Sequence, residues 1–257
     1  MITHAILQPL ISAMIWLIPM MLLVVLLKSP WFKGWIGEQL VRLSAHYQLD
    51  RQVYRRLHDV TLSTPDGTTQ IDHVFVSPFG IFVVETKNMS GWIFGGDKQA
   101  QWTQQLYKRR FRFQNPLRQN HKHLKALEAA LGVAPEHIHS VIVFVGGSSF
   151  KTPMPANVTE GIGFIRHIRA FQQPVFSDAQ VEAMVQALQG GRLAPTLATR
   201  REHVERLRQR SDPTATRQCP RCGSALVIRN IKRGPKAGQQ FWGCSTFPKC
   251  RAHQPLG

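Results

Sequence analysis

The chain has no cysteine before position 219 and four from there on. A disulfide framework across the body of the protein is therefore excluded, and thiols clustered so late point to a local metal site. Acid is also scarce: 15 Asp and Glu stand against 32 Lys and Arg, a formal net charge of +17. Between Lys98 and Leu127 there is none, while Lys98, Lys108, Arg109, Arg110, Arg112, Arg118, Lys122 and Lys125 all fall there. From Arg206 to the end the only acid is Asp212. Basic stretches of this kind favour a polyanionic partner, nucleic acid or anionic lipid, over a plain solvated surface.

Charge of either sign is missing from Ala5 to Leu27. Some 23 helical residues rise about 34 Å, against about 30 Å of bilayer hydrocarbon. Pro9 and Pro19 are tolerated in membrane helices. No Lys or Arg precedes the segment, and Lys28-Ser29-Pro30-Trp31 makes a poor cleavage site, so a retained anchor over residues 1–30 is expected rather than a signal peptide. Lys28 and Lys33 follow it. The positive-inside rule then leaves the rest of the chain in the cytoplasm, single-pass on the inner (cytoplasmic) membrane, with lipid as one partner.

Residues 70 to 88 form the densest pattern. Two runs rich in Val, Ile and Phe flank Ser77-Pro78-Phe79-Gly80, which reads as a β-hairpin. Asp72, Glu85 and Lys87 interrupt the runs, and such residues are depleted in strands. Without a bulge in the turn, Asp72 faces Glu85 at about 5 Å between Cβ atoms. A one-residue bulge would face it to Thr86 instead. Two carboxylates that close share a proton or a cation. Lys87, two residues on from Glu85, projects from the same face. An ion pair with no catalytic role is the competing explanation.

The remaining elements alternate. Ile36, Leu40, Leu43 and Tyr47 make a helical stripe after Gly34, and Val53 to Leu62 reads as a strand. Trp102 to Phe113 interleaves aromatic and basic residues, which suits either a nucleic-acid groove or a core-facing strand. Asn115-Pro116 caps a helix with a stripe of Leu117, Leu124, Leu127 and Leu131, ending at Gly132. Ile138 to Val145 fits a doubly covered strand, and Ile162 to Ile165 a further short one. Ser177-Asp178-Ala179-Gln180 is a capping box opening a helix through Val181, Met184, Val185 and Leu188. The order gives an α/β domain.

Gln70-Ile71-Asp72-His73, Gly80 through Asn88 and Gly91-Trp92-Ile93 resemble the nuclease-related domain, NERD, of the PD-(D/E)xK nuclease superfamily. That resemblance implies a restriction-endonuclease-like mixed sheet flanked by helices over residues 34–190. It implies Mg²⁺ (or Mn²⁺) held by Asp72 and Glu85, with Lys87 at the reacting phosphate. Gly37-Glu38 matches the family's first helix, whose Glu lines the active site. Asn115-Pro116-x-x-Gln119 matches a motif whose Gln borders it.

After a basic linker, 191–216, comes Cys219-x2-Cys222, 21 residues, then Cys244-x5-Cys250. Two such pairs close a tetrahedral thiolate shell around structural Zn²⁺. Cys-Pro-x-Cys-Gly and Phe-Trp-Gly-Cys-Ser-x-Phe-Pro-x-Cys resemble the C-terminal zinc ribbons of bacterial type I topoisomerases, over about 217–257. Single-stranded DNA binding is what this implies. Arg229, Lys232 and Arg233 are candidates to neutralise phosphates, and Phe241 and Trp242 to stack bases; Arg109, Arg110, Arg112 and Lys122 are the candidates in the larger domain. The expected activity is DNA phosphodiester hydrolysis by a membrane-anchored, metal-dependent nuclease. The alternative is a non-catalytic DNA- or RNA-binding tether, and a ribbon that binds protein is a third reading.

Overall fold

The computed structural model describes residues 2–64, 67–191, 217–219, 221–231, 238 and 240–255; for 2–13, 15, 217 and 255 it describes the backbone alone. Lys232, Arg233 and the linker from 192 to 216 lie outside the described residues. The chain divides into two compact units.

The first unit is a mixed α/β layering. Its main sheet has the order β1-β2-β3-β7-β9, from Arg55–Thr64, Gly67–Ser77, Gly80–Asn88, Ile138–Val145 and Val158–Glu160. β2 and β3 are antiparallel; β3, β7 and β9 run parallel. Alternate side chains of β2 and β3 divide the core in two. Val74, Val76, Ile81 and Val83 pack with Leu127 of α3 (Pro116–Leu131) and with Val181, Met184, Val185 and Leu188 of α5 (Asp178–Gly191). Phe75, Phe82 and Val84 pack with Val41 and Ala45 of α2 (Pro30–Gln48) and with Phe164, Ile165 and Ile168 of α4 (Gly163–Arg169). β3 is thus covered on both faces, and each large side chain it buries contributes about 1.5–3 kcal/mol.

A second sheet, order β6-β5-β4-β8, is built from Arg109–Gln114, Gln101–Leu106, Gly91–Phe94 and Ser148–Phe150. Ile93, Trp102, Phe113 and Phe150 turn inward onto Ile142 and Phe144 of β7. In the stretch from Trp102 to Phe113, Trp102 and Phe113 face the core, as a core-facing strand requires, while Phe111 and the arginines are exposed.

Two helices correct the sequence reading. Ile162 to Ile165 is not a strand; Gly163–Arg169 is helical, and the short apolar run could not by itself distinguish the two. In α2 the expected stripe is inverted. Gly37, Val41 and Ala45 are buried, whereas Leu40, Leu43 and Tyr47 point outward, Tyr47 being 78% exposed. Trp31 and Trp35 are exposed as well. The helix is apolar on both sides, so periodicity could not say which side meets the sheet. By contrast the capping box forms as expected: the Gln180 amide donates to Ser177 Oγ at 3.3 Å, and the Ser177 amide donates to Gln180 Oε1 at 2.9 Å.

α1 (Ile2–Lys28) precedes α2, and its described side chains from Trp16 to Leu27 are exposed. Among the described residues no single helix is long and apolar enough to cross a membrane; Trp16–Lys28 and Pro30–Gln48 qualify only as a pair, bent by 62°.

The second unit is a small antiparallel sheet, β10-β11-β12-β13, from Arg217–Gln218, Ala225–Asn230, Gln240–Cys244 and His253–Pro255.

Gly37 sets how closely α2 approaches β3. A Cβ there would lie 2.8 Å from Asn88 Cβ and 3.1 Å from Val145 Cγ2. A glycine-to-valine change gains only a few tenths of a kcal/mol in helix propensity, against an overpacking cost of about 1–3 kcal/mol. Gly37→Val is therefore expected to destabilise the protein by about 1–3 kcal/mol, measured by urea unfolding.

Candidate functional site

The hairpin turn contains no bulge. Ser77 pairs with Gly80, Val76 with Ile81, and the ladder runs to His73 with Val84. Gly80 has φ +132, a conformation few other residues adopt. One more step brings Asp72 level with Glu85. There the Asp72 carboxylate crosses to the neighbouring strand, and its Oδ2 accepts the Thr86 amide at 2.9 Å.

Strand alternation sends Glu85 and Lys87 to one side, where α3 receives them. Lys87 Nζ donates to Glu85 Oε1 at 2.6 Å and to Gln119 Oε1 at 2.9 Å. His123 Nε2 lies 3.3 Å from Glu85 Oε2, and His123 Nδ1 meets Thr69 Oγ1 at 2.9 Å. Glu85 is 3% exposed, so this charge sits in the interior beside two cationic or potentially cationic groups. The contact to His123 is poorly aligned, and Glu85 Oε2 is left buried without a hydrogen-bond donor.

α3 is held in place by asparagines. Asn115 caps it, accepting the Leu117 amide, while its Nδ2 donates to the carbonyls of Gly96, Asp97 and Gln99. Asn120 Nδ2 donates to the Val83 carbonyl at 2.8 Å and to Ser140 Oγ at 2.9 Å. The face turned to the sheet is accordingly Pro116, Asn120, His123, Ala126 and Leu127, with Leu117, Leu124 and Leu131 at its margins. The leucine stripe expected from sequence is thus off-centre, because the middle of the contact is polar. Gln119, which looked remote from that stripe, reaches Lys87. His123 is a member of the cluster that the sequence analysis does not single out; its position four after Gln119, on the same side of the helix, is the available signal.

The two acids are not equivalent. Burial, then the charges of Glu85 and Glu38, push the Asp72 carboxyl well above the usual carboxylate range. Burial alone would raise Glu85 too, but His123 and Lys87 outweigh it and hold Glu85 below its ordinary value. Glu85 is thus the stronger acid of the two. Glu38, on the half-buried side of α2, acts on Asp72 through its charge. His73, although adjacent to Asp72, belongs to the opposite layer, where its Nδ1 meets His58 Nδ1 at 2.9 Å. Arg109, Arg110, Arg112 and Lys122 are all exposed, and none of them is part of the acidic cluster.

An orphaned carboxylate oxygen and a set of hard oxygen donors fit a divalent ion of the Mg²⁺ type. Among the described residues, however, only the four cysteines form a ready-made group of three or more convergent ligands. Their sulfurs all lie within 4.8 Å of one another, with Cys219 and Cys250 at 3.7 Å and Cys222 and Cys244 at 3.4 Å. Four thiolates about 2.3 Å from Zn²⁺ stand about 3.8 Å apart, so the cluster fits that ion, and no disulfide spans such distances. The Ser224 backbone amide, then its hydroxyl, draw the Cys222 thiol down to about 6.

The ribbon corrects two candidates. Trp242 is 3% exposed and packs with Leu226 against Cys219, Cys244 and Cys250, so it is the core of this unit and not a surface for bases. Arg229 lies across Gly243, donates to the Cys244 carbonyl at 3.3 Å and stacks 5.5 Å from the Phe247 ring. Its guanidinium is committed within the ribbon. Phe241 is half-buried, and Phe247, which projects into solvent, is the better-placed aromatic.

The geometry thus defines an α/β domain with an acidic hairpin, joined in one chain to a four-cysteine ribbon. Comparison with known proteins agrees with both halves. Residues 33–145 match the nuclease-related domain, and residues 216–256 match the topoisomerase DNA binding C4 zinc finger. The chain carries these two domains in series. An uncharacterized protein of Bacillus anthracis is 50% identical over 100 residues, 38% of this chain and 47% of that protein. The uncharacterized protein YrdD of Escherichia coli (strain K12) is 50% identical over 38 residues, 15% of this chain and 18% of that protein. The chain thus spans about half or less of the curated relatives it matches. No solved structure matches it.

Two outcomes follow from these geometries. Asp72 has a folded pKa above its unfolded value, so its contribution to stability is complete at low pH and is lost as pH rises through that raised value. Asp72→Asn, neutral throughout, is expected to raise the melting temperature at pH 8 without added divalent ions by about 2–4 °C, with the gain disappearing near pH 3. Loss of zinc, by chelation or by Cys244→Ser, is expected to unfold the ribbon, seen as a red shift of tryptophan emission when Trp242 leaves its core.

Proposed function

We propose that the protein is a DNA nuclease dependent on a divalent metal, with the zinc ribbon supplying affinity for DNA. The observation that carries this reading is the convergence of Asp72, Glu85, Lys87 and Gln119 at one seam between β2, β3 and α3. Asp72 and Glu85 are the residues to hold Mg²⁺ or Mn²⁺, with the Thr86 carbonyl as a further oxygen. When bound, the ion supplies an activated water and neutralises charge on the scissile phosphate. Lys87 then exchanges its bond to Glu85 for one to the attacking water or the phosphate oxygen on which negative charge develops. Gln119 keeps the ammonium aimed while it does so, and His123 keeps Glu85 ionised. Glu38 borders the same pocket. Phosphodiester hydrolysis is the reaction such a set performs.

Membrane attachment belongs to the same proposal. It is supported by the uncharged stretch from Ala5 to Leu27 and by the outward Trp31, Trp35, Leu43 and Tyr47 of α2. That outer surface is preceded by Lys28 and carries Lys33, as suits a helix lying against anionic headgroups.

One feature favours the second reading, a non-catalytic nucleic-acid tether: the Lys87–Glu85 pair is short and buried, as a structural ion pair would be. Cleavage decides between them. Full-length protein with Mg²⁺ or Mn²⁺ is expected to cut DNA, and Asp72→Asn and Lys87→Ala to lose at least about 100-fold in rate while remaining folded. Salt-sensitive binding with no metal-dependent cleavage, or equal cleavage by wild type and both variants, removes the nuclease assignment.

A further inference from the structure

The second sheet has an inner and an outer face, and only the inner one is used by the core. Cross-strand register places Arg110 beside Gln105, Gln105 beside Trp92 and Trp92 beside Ser149, a straight row across all four strands. Side chains in register share a face. Their sequence neighbours Phe111, Gln104, Ile93 and Phe150 share the other, to which Ile93 and Phe150 contribute core contacts. The row therefore points away from the core. Arg112 and Lys151, two residues from Arg110 and Ser149, lie on the same outer face.

This face has an unusual composition for a solvent surface. Trp92 is 49% exposed, although its neighbour Ile93 is fully buried. Lys151 Nζ sits 5.0 Å from the Trp92 ring centroid. Arg110 Nε donates to Gln105 Oε1 at 3.1 Å, which fixes the guanidinium along the row toward Trp92, about 10 Å away at two strand spacings. Arg110, Arg112 and Lys151 are all exposed. Trp92 is the one apolar residue of its row, too little to bury against a protein or a bilayer, and an indole between cations suits a strand whose bases stack while its phosphates are neutralised.

We propose that this outer face is a platform for single-stranded nucleic acid, with Trp92 stacking a base and Arg110, Arg112 and Lys151 neutralising the flanking phosphates. The inference deepens the nuclease reading and rests on it for the identity of the substrate. Trp92 lies five residues beyond Lys87 in the chain, so the two Cα atoms are at most about 18 Å apart. At the about 3.4 Å per nucleotide of a stacked strand, no more than about five nucleotides are needed to span from the acidic centre to the platform.

The test uses full-length, zinc-loaded protein and oligothymidylates of three to twelve nucleotides, without added Mg²⁺ so that none is cut. Trp92→Ala is expected to weaken binding of these strands by about 5–100-fold and to remove part of the tryptophan quenching seen in wild type. Trp92→Phe should restore most of the affinity. Arg110→Ala and Arg112→Ala should each lower the slope of log K against log salt by about 0.7. Since all three side chains are exposed, unfolding curves should match wild type. Binding and salt slope unchanged in every variant would overturn the platform and leave DNA affinity to the ribbon. If wild type also cleaves DNA with Mg²⁺ in that case, the nuclease reading survives alone. Loss of affinity in Trp92→Ala without any cleavage by wild type keeps the platform and ends the nuclease reading. Absence of binding by wild type overturns both.

Discussion

A buried carboxylate is the constraint around which the larger unit is arranged. Glu85 lies on a strand covered by helices on both faces, where an isolated charge would take up a proton. It stays ionised because Lys87 comes from the same strand and His123 from α3. Each of those needs its own support. Gln119 holds Lys87, Thr69 holds His123, and the asparagines at 115 and 120 hold the helix that carries both. Asp72, which lacks the histidine and the ammonium hydrogen bond that Glu85 has, is left as the weaker acid of the pair.

Helix α2 shows how the same elements serve two ends. Its small residues, Gly37 and Ala45, let it settle onto the sheet, and this close seat brings Glu38 within electrostatic range of Asp72. Its large residues face the other way. A helix that buries small side chains and exposes large ones is reversed relative to the usual surface helix.

Much of this was legible in the sequence, for identifiable reasons. The hairpin was readable because Ser-Pro-Phe-Gly marks the turn, but the turn residues allow a bulge, and only the Ser77–Gly80 pairing sets the phase of Asp72 against Glu85. The cysteine spacing gave the metal cluster, and Ser177 and Gln180 gave a helix start, since both depend on contacts only a few residues long. What periodicity could not convey was which of two apolar sides is covered. That is why Leu40, Leu43 and Tyr47 were placed inside, and why Trp242 was taken for a binding surface when it fills the ribbon's core. Likewise the polar middle of α3 was hidden, because Asn120 and His123 are inward for reasons of hydrogen bonding to residues 37 and 54 positions away.

β6 ends the second sheet, and among the described residues one of its backbone edges has no partner strand. Open edges of this kind invite a second chain to add on. Arg109, Arg110 and Arg112 sit on that strand, and because the first two are consecutive, both of its sides carry positive charge. An identical edge approaching in either orientation would bring cation against cation, whatever the alignment. The three arginines thus also act as a guard against self-association, so a change that neutralised them would leave a strand free to pair with its own kind.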